Sequence, residues 1–187
     1  FINIITAKSI DVSAEFTLHI LEVIRELKDA QVWVFDAERI LQTEKQKLTL
    51  AYKNFILEME NNLNQKKQIV AVIFGIDKFI NDIEDHEIDF LKMLKKAREL
   101  GNYHFIIVDN FTRLKNHEYD EWYRSYCVND NGIWIGNGVS EQYLISVNPS
   151  AEQIVNNCGN SFGYAIMQGE PTMIKLLGMN EKGGENG

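Results

Sequence analysis

The sequence predicts a three-layer α/β domain with a mostly parallel central sheet and an antiparallel β-hairpin near its C-terminal end. Strand-sized runs rich in Val and Ile lack an alternation of apolar and polar residues, which is typical of parallel strands buried on both faces. Between these runs, apolar residues recur at helical spacing, and strands that alternate with helices build a parallel sheet covered by helices. Two later runs are joined by a short turn, which predicts the hairpin.

The individual elements follow from these two periodicities. Strands are predicted at residues 2–5, 31–35, 69–74, 104–108 and 132–136. Helices are predicted at residues 13–28, 44–63, 87–100 and 119–127, with Gly101 as the stop signal of the third. The hairpin is predicted at residues 163–167 and 171–177, joined by a turn over residues 168–170.

Composition restricts the classes of protein that fit this chain. Its 187 residues suit one globular domain, placed at residues 1–178, before a polar, Gly-rich tail at 179–187 that we expect to be disordered. Hydrophobic residues make up 45% and aromatic residues 11% of the sequence, which excludes intrinsic disorder as the overall state. The net charge of −8 repels phosphate backbones and anionic lipid, so nucleic-acid and membrane-surface roles are disfavoured.

The cysteines and the chain start bear on the compartment. Cys127 and Cys158 show no spacing typical of a disulfide framework, so we expect reduced thiols. No apolar run is long enough to span a bilayer, and no basic segment precedes an apolar one as in a signal peptide. Phe1 lies inside an apolar run, from which we expect the chain to be a piece of a longer polypeptide.

The segment between the first strand and the first helix lies where a phosphate-binding loop of pattern G-x-x-x-x-G-K-[ST] would lie. Thr6 and Asp11 stand at the glycine positions, Val12 stands at the lysine position, and only Ser13 matches. Without glycines the loop is not expected to offer the same nest of backbone N–H groups to a phosphate. Asp11 adds a negative charge there, and Lys8 is the nearest lysine but at the wrong position.

The second nucleotide-binding element departs from its pattern as well. This element is the Walker B strand, which should end in acidic residues that hold Mg²⁺ and position the attacking water. Here Phe74 and Gly75 occupy those positions, and Asp77 follows two or three residues late. The sequence therefore predicts a nucleotide-binding fold that has lost its chemistry, with no catalytic residue in this domain.

Ser13 and Lys8 still allow a second interpretation, in which they hold a phosphate at the helix N-terminus. The preferred interpretation is that Ser13 caps the helix, aided by Asp11 and Glu15, because capping requires only a serine at that position.

No metal site is predicted. Asp36, Asp77 and Asp109 fall near strand ends and could converge on a metal, but turns place aspartate at such ends for ordinary reasons. The four histidines show no ligand spacing with the cysteines.

An aromatic set provides the candidate partner-binding residues. Four of its members fall at i, i+3, i+4 and i+7 of the predicted helix 119–127, and the fifth, Phe111, lies nearby in sequence. Aromatic residues of this kind anchor protein interfaces, although such a helical stripe is more often part of the core. The candidates are Phe111, Tyr119, Trp122, Tyr123 and Tyr126.

The acidic run at residues 82–89 is interpreted as a solvated helix start, with a docking site for basic partners as the alternative.

The order of these elements resembles that of FtsK/SpoIIIE-type ATPase domains. The resemblance covers residues 2–177 and is carried by the helix–Gly–x–x–His–strand step around Gly101 and His104, by the segment 132–143, and by the closing Ile-Lys-Leu-Leu of the hairpin. It is nearest to the C-terminal domains of the membrane-anchored ATPases of Firmicute type VII secretion systems, the EssC-like proteins.

The resemblance implies a P-loop NTPase (RecA/FtsK-like) fold and a place in a cytoplasmic part of a membrane protein. In this family several such domains follow transmembrane helices, and the most C-terminal ones are often degenerate and implicated in recognising secreted substrates. The implied partners are small helical secreted proteins and neighbouring ATPase domains of the same, oligomeric parent. No cofactor is expected, with weak ATP and Mg²⁺ binding as the alternative. Relatives that translocate nucleic acid often have a Gln after the fourth strand, where this chain has Asp109 and Asn110.

These observations together predict a non-catalytic domain of a secretion ATPase that recognises substrate or regulates its neighbour. The enzyme alternative is a weak nucleotide hydrolase that uses Asp77 and a residue supplied in trans. A DNA-translocase module is disfavoured by the charge of −8 and by the lack of a basic stripe.

Overall fold

The computed structural model describes residues 2–41, 45–61, 67–83, 86–148, 154 and 161–176. Within this part of the chain, the strands are β1 Ile2–Ala7, β2 Ala30–Asp36, β3 Gln68–Phe74, β4 Tyr103–Asn110, β5 Cys127–Ile135, β6 Phe162–Met167 and β7 Glu170–Lys175. The helices are α1 Ile10–Arg25, α2 Lys45–Asn61, α3 Ile76–Asp82, α4 His86–Leu100, α5 Phe111–Asn116 and α6 Glu121–Tyr126.

The strands form one mixed sheet in the order β2-β3-β4-β1-β5-β6-β7. The first five strands in this order are parallel to one another, whereas β6 pairs antiparallel with both β5 and β7. The predicted mostly parallel sheet with a closing hairpin is therefore confirmed. After β1 the chain forms β2, β3 and β4 on one side of β1, and it then crosses to the other side of β1 to form β5. The carboxyl ends of β1 and β4 therefore lie at the switch point of the sheet, where ligands bind in such folds.

Helices cover both faces of the sheet. On one face, α2, α3, α4 and α6 pack on a core rich in aromatic rings, and Phe55 and Phe79 each contact Phe35 at ring-centroid distances of 5.4 and 5.3 Å. On the other face, α1 packs on an aliphatic core that includes Leu21, Val72 and Val108. Alternate residues of the buried strands serve the two cores, which explains why these strands show no polar face in the sequence.

The start of α1 differs from the prediction. The helix begins at Ile10, and its N-cap is Ser9, whose Oγ accepts a hydrogen bond from the backbone N–H of Asp11 at 3.3 Å. The prediction that Ser13 caps a helix beginning at residue 13 is wrong, because Ser13 lies inside the first turns and is fully buried. Either serine satisfies the capping preference, and the earlier one is used because the preceding strand ends only two residues before it.

Two helices of the structure were not predicted. α3 and α5 follow directly after β3 and β4, and they have only seven and six residues. A helix this short shows fewer than two turns of apolar periodicity, so the pattern that reveals longer helices is absent. β5 also begins at Cys127 rather than at residue 132, and α6 ends at Tyr126.

The closing hairpin matches its prediction. Gln168 and Gly169 connect β6 to β7 with backbone φ angles of 53° and 79°. Two consecutive left-handed residues match a type I′ turn, whose twist suits the flanking strands.

Some positions named in the sequence analysis lie outside the described residues: the predicted tail at 179–187, Cys158, Leu177 and residues 84–85 of the acidic run. Among the helices that the structure describes, none combines the length and apolarity that a bilayer crossing requires.

Replacing Ser9 tests the observed start of α1. Ser9→Ala is expected to lower the free energy of unfolding by about 1 kcal/mol, because it removes the acceptor of the Asp11 N–H. Ser9→Asp, which keeps a capping oxygen, is expected to retain the wild-type value. Urea unfolding followed by circular dichroism measures both, and equal stability of Ser9→Ala and wild type would contradict the assignment.

Candidate functional site at the carboxyl edge of the sheet

The structure brings most of the predicted nucleotide-site positions to one edge of the sheet. Thr6 pairs with Asp109 across β1 and β4, and Phe74 pairs with Val108 across β3 and β4. Asn110 is the last residue of β4 and also caps α5, because its Oδ1 accepts from the N–H of Arg113 at 2.9 Å. This edge is where a nucleotide would lie in a fold of this topology.

The connection from β1 to α1 consists of Lys8 and Ser9. Asp11 and Val12, which would belong to a phosphate-binding loop, instead form the first turn of α1. The N–H of Asp11 donates to Ser9 Oγ, and the N–H of Ser13 donates to the Ser9 carbonyl at 3.4 Å. Two of the backbone donors that a loop would direct at a phosphate therefore form hydrogen bonds within the start of the helix.

Of the three side chains considered around this connection, Ser13 makes hydrogen bonds within the chain. Ser13 Oγ donates to the Ser9 carbonyl at 3.2 Å and lies 3.5 Å from the Asp109 carbonyl oxygen. Thr6 is fully buried, and its hydroxyl has no hydrogen-bond partner among the described residues. Lys8 lies against the loop after β5, since a Cβ built on Gly138 would come 3.4 Å from its Nζ.

A network of charged side chains crosses the ends of β3 and β4. Glu38 Oε2 lies 2.6 Å from Lys78 Nζ, and Glu38 Oε1 lies 2.6 Å from Arg113 Nη1. Arg113 Nη1 also lies 3.5 Å from Asp109 Oδ1. We call Glu38, Lys78, Asp109 and Arg113 the edge network. It joins the connection after β2 to α3, to the end of β4 and to α5.

Gly75 lies against Glu38 of the edge network. Its φ of 78° lies in the left-handed region, and a Cβ built on it would lie 2.4 Å from Glu38 Cγ. Its N–H donates to the Val108 carbonyl at 3.0 Å. An acidic metal ligand was expected at this position of the chain. A side chain there would collide with Glu38, so glycine is the residue that fits.

The aspartates considered as metal ligands each have a structural partner. Asp36 accepts hydrogen bonds from the N–H groups of Ile40 and Leu41 at 2.8 and 2.7 Å. Asp109 accepts from the N–H groups of Ile76 and Asn110 at 3.0 and 2.8 Å. Within the described ranges, no group of three His, Cys, Asp or Glu residues is placed to hold a metal ion.

Asp77 is engaged by a histidine. His117 Nε2 lies 2.6 Å from Asp77 Oδ1, and His117 Nδ1 lies 2.5 Å from Asp120 Oδ2. Trp122 Nε1 donates to the same Asp120 oxygen at 3.3 Å. The hydrolase alternative requires the Asp77 carboxylate, which thus contacts His117 in the turn between α5 and α6.

Burial changes the titration of Asp109. The side chain is completely buried, and this burial raises the pKa of Asp109 above the ordinary value of 3.8, although the N–H groups of Asn110 and Ile76 and the Arg113 guanidinium oppose this. For Arg113, burial acts to lower the pKa, but the carboxylates of Asp109 and Glu38 outweigh it and raise the pKa.

The raised pKa of Asp109 predicts a pH dependence. The folded chain takes up this proton at a higher pH than the unfolded chain, so Asp109 stabilises the fold most below pH 3.8 and loses that contribution as pH rises through its folded pKa. The stability of wild type relative to Asp109→Asn is therefore expected to increase as the pH falls towards 3.8. Urea unfolding at a series of pH values measures this difference, and a difference that shrinks on acidification would contradict it.

The structure divides the aromatic candidates. Trp122 and Tyr123 are 0% and 4% exposed, so their prediction as partner-binding residues is corrected: they belong to the core. Tyr119 is 79% exposed but precedes α6, so it does not share a helix face with them. Tyr126 is half-buried under the Arg98 guanidinium, and Phe111 is half-buried against Trp134.

Sequence reasoning missed three members of the edge network. Lys78 and Arg113 lie on the two short helices that the periodicity does not reveal. Glu38 follows β2 by two residues, and this closeness to a strand end was the one available signal.

The fold of this chain is shared by solved structures, among them the following two. One is the cytoplasmic domain of EssC, with a TM-score of 0.57 and 15% sequence identity over 94% of this chain. The other is Thermomonospora curvata EccC (ATPases 2 and 3) in complex with a signal sequence peptide, with a TM-score of 0.59 and 12% identity over 94% of this chain. The likeness establishes the fold.

The predicted similarity to ATPase domains of this type is therefore confirmed at the level of structure. The chain spans 37% of the EssC structure and 36% of the EccC structure, so it corresponds to about a third of each. No protein-family model matches the chain, and no curated protein matches its sequence.

Proposed function

We propose that this chain is a non-catalytic domain of a type VII secretion ATPase, which recognises secreted substrates and regulates the motor of which it is part. The observation that carries this proposal is the edge network, which fills the edge of the sheet where metal and nucleotide would bind. The domain would be C-terminal in a membrane-attached, oligomeric parent, and it would lie on the cytoplasmic side.

The absence of catalysis is supported by the chemistry that phosphoryl transfer requires. Such a site needs a lysine on the phosphates, an acidic ligand for Mg²⁺ and a loop of free backbone donors. Here Val12 stands at the lysine position, Gly75 stands at the ligand position, and the loop is replaced by the first turn of α1. The carboxylates nearby bind backbone N–H groups or cations of the same chain.

A binding role is supported by the fold and by the charge. The EccC structure that shares this fold contains a signal sequence peptide. The net charge of −8 argues against the DNA-handling members of the fold. A retained fold without catalytic groups is best explained by binding, with small helical secreted proteins and neighbouring ATPase domains as partners.

The alternative, a weak nucleotide hydrolase, requires Asp77 as a metal ligand. Asp77 lies on the first turn of α3 at the correct edge of the sheet, which favours this candidate. Its contact with His117 at 2.6 Å opposes it, because a metal would have to displace the imidazole.

Deletion of this domain from the parent ATPase tests the proposed function. The ATPase rate of the purified cytoplasmic region is expected to respond to a secreted substrate only when the domain is present. A rate that is the same with and without the domain, in the presence and absence of substrate, would contradict the proposal.

A further inference from the structure

The strand β2 lies at one end of the sheet order and has one strand neighbour, β3, among the described residues. The N–H of Ala37 donates to the Phe74 carbonyl at 3.2 Å, which assigns the odd-numbered residues of β2 to the ladder with β3. The even-numbered residues in its middle, Val32 and Val34, therefore direct their backbone N–H and C=O groups away from β3. We call this side of the strand the outer side of β2.

The two outermost strands of the sheet differ in their protection against further pairing. On β7 the Leu176 N–H donates to the Ser161 carbonyl, so the backbones of Pro171, Met173 and Lys175 face outward. Proline has no N–H to offer, and proline and lysine on an outermost strand discourage pairing with another chain. The sequence of β2, Ala-Gln-Val-Trp-Val-Phe-Asp, contains neither residue. Of the two strands, β2 is therefore the one suited to pair with a further strand.

The outer side of β2 is complementary to itself. Closed dimers have a two-fold axis, and two β2 strands related by such an axis at Trp33 run antiparallel. Val32 of each copy then lies opposite Val34 of the other, and each valine pair exchanges both backbone hydrogen bonds. The half-buried Trp33 lies opposite its own copy on the α2 side of the sheet, where aromatic cross-strand pairs are stabilising.

Exposed apolar side chains flank both ends of β2. Val23 near the end of α1 and Leu27 just after it are 65% and 56% exposed, and Leu41 after β2 is 41% exposed. Antiparallel pairing brings the amino end of one β2 beside the carboxyl end of the other, so Leu27 of each copy approaches Leu41 of the other. These contacts remove apolar surface from water at two equivalent places.

The exposed charges at the two ends of β2 are opposite in sign. The amino end carries the carboxylates of Glu26 and Asp29 against the ammonium of Lys28, and the carboxyl end, outside the edge network, carries the guanidinium of Arg39. Antiparallel pairing brings Arg39 of each copy towards the acidic end of the other. The net charge of −8 opposes association of two copies, but salt at about 0.15 M screens this repulsion beyond about 8 Å.

We infer that two copies of this chain associate through the outer sides of their β2 strands, which joins the two sheets into one across a two-fold axis at Trp33. A second copy fits this surface better than an unrelated strand because the backbone, apolar and charged groups all match after the same rotation. The inference goes beyond the proposed function, and it depends neither on substrate recognition nor on the loss of nucleotide binding.

Sedimentation equilibrium of the whole chain at about 0.15 M salt measures the association, and we expect a dimer at about 100 µM. Val34→Pro removes an outward N–H at a kind of position where outermost strands accept proline, and Leu27→Glu places a charge in the apolar contact. Each change occurs twice in the dimer, so each is expected to weaken association by at least about tenfold. The controls are Met173→Pro, at an outward position of β7, and Leu57→Glu, 54% exposed but on α2.

A charge exchange provides a second comparison. Arg39→Glu alone is expected to weaken the dimer by about threefold, and the further change Asp29→Arg in the same chain is expected to restore it. No restoration would contradict the antiparallel arrangement.

The inference is supported if wild type and both controls dimerise and the two β2 variants do not. A chain that stays monomeric at about 100 µM, a dimer that both β2 variants leave intact, or equal losses in variants and controls would overturn it. Circular dichroism shows whether each variant folds. If Val34→Pro does not fold, Leu27→Glu decides the outcome, because it changes only an exposed side chain.

Discussion

Trp122→Ala is expected to lower the free energy of unfolding by about 3–5 kcal/mol. The indole is completely buried, and its ring contacts those of Phe90 and Tyr123 at centroid distances of 5.6 and 5.5 Å. Truncation leaves a cavity between α4 and α6 and removes the hydrogen bond from Nε1 to Asp120. Urea unfolding followed by circular dichroism measures the loss.

Tyr119→Ala provides the matched control. Its side chain is 79% exposed, so we expect a change of less than about 0.5 kcal/mol. The pair distinguishes a core residue from a surface residue within one aromatic set of the sequence. Similar stabilities of the two variants would contradict the packing described for α6.

Gly75→Ala is expected to lower the free energy of unfolding by about 3 kcal/mol, the second large effect. An alanine at a φ of 78° is strained by about 1–2 kcal/mol, and its Cβ would lie 2.4 Å from Glu38 Cγ. Glu38 cannot move aside freely, because Lys78 and Arg113 both bind its carboxylate at 2.6 Å. The added methyl group therefore disrupts the edge network as well as the backbone.

A double-mutant cycle separates the two contributions. In a Glu38→Ala background, Gly75→Ala is expected to cost only the backbone strain of about 1–2 kcal/mol. A cost that is unchanged by Glu38→Ala would show that Glu38 does not lie over Gly75, and the edge network would have to be rejected.

The parts of the fold that the sequence predicted are those with a long local signal. The Val- and Ile-rich runs at β3 and β4 are buried on both faces, and a buried strand leaves an apolar run that is visible without any structure. The hairpin turn was visible in the sequence because it contains Gly169. Gln168 and Gly169 adopt left-handed backbone angles, which favour glycine.

The parts that it did not predict depend on contacts between distant residues. Glu38 and Arg113 are 75 positions apart and meet only because β2 and β4 end at the same edge of the sheet. The spacing of Trp122 and Tyr119 is helical in the sequence, but α6 begins at Glu121 and leaves Tyr119 in the preceding turn.

We propose that the chain's own residues fill the nucleotide edge of the sheet, so that this domain works by binding protein rather than by hydrolysis. Calorimetric titration of the whole chain with Mg-ATP tests it most directly. We expect no heat of binding, since the β1–α1 connection offers no loop of free donors and Glu38 covers the metal-ligand position. Binding of Mg-ATP with a micromolar dissociation constant would contradict the claim.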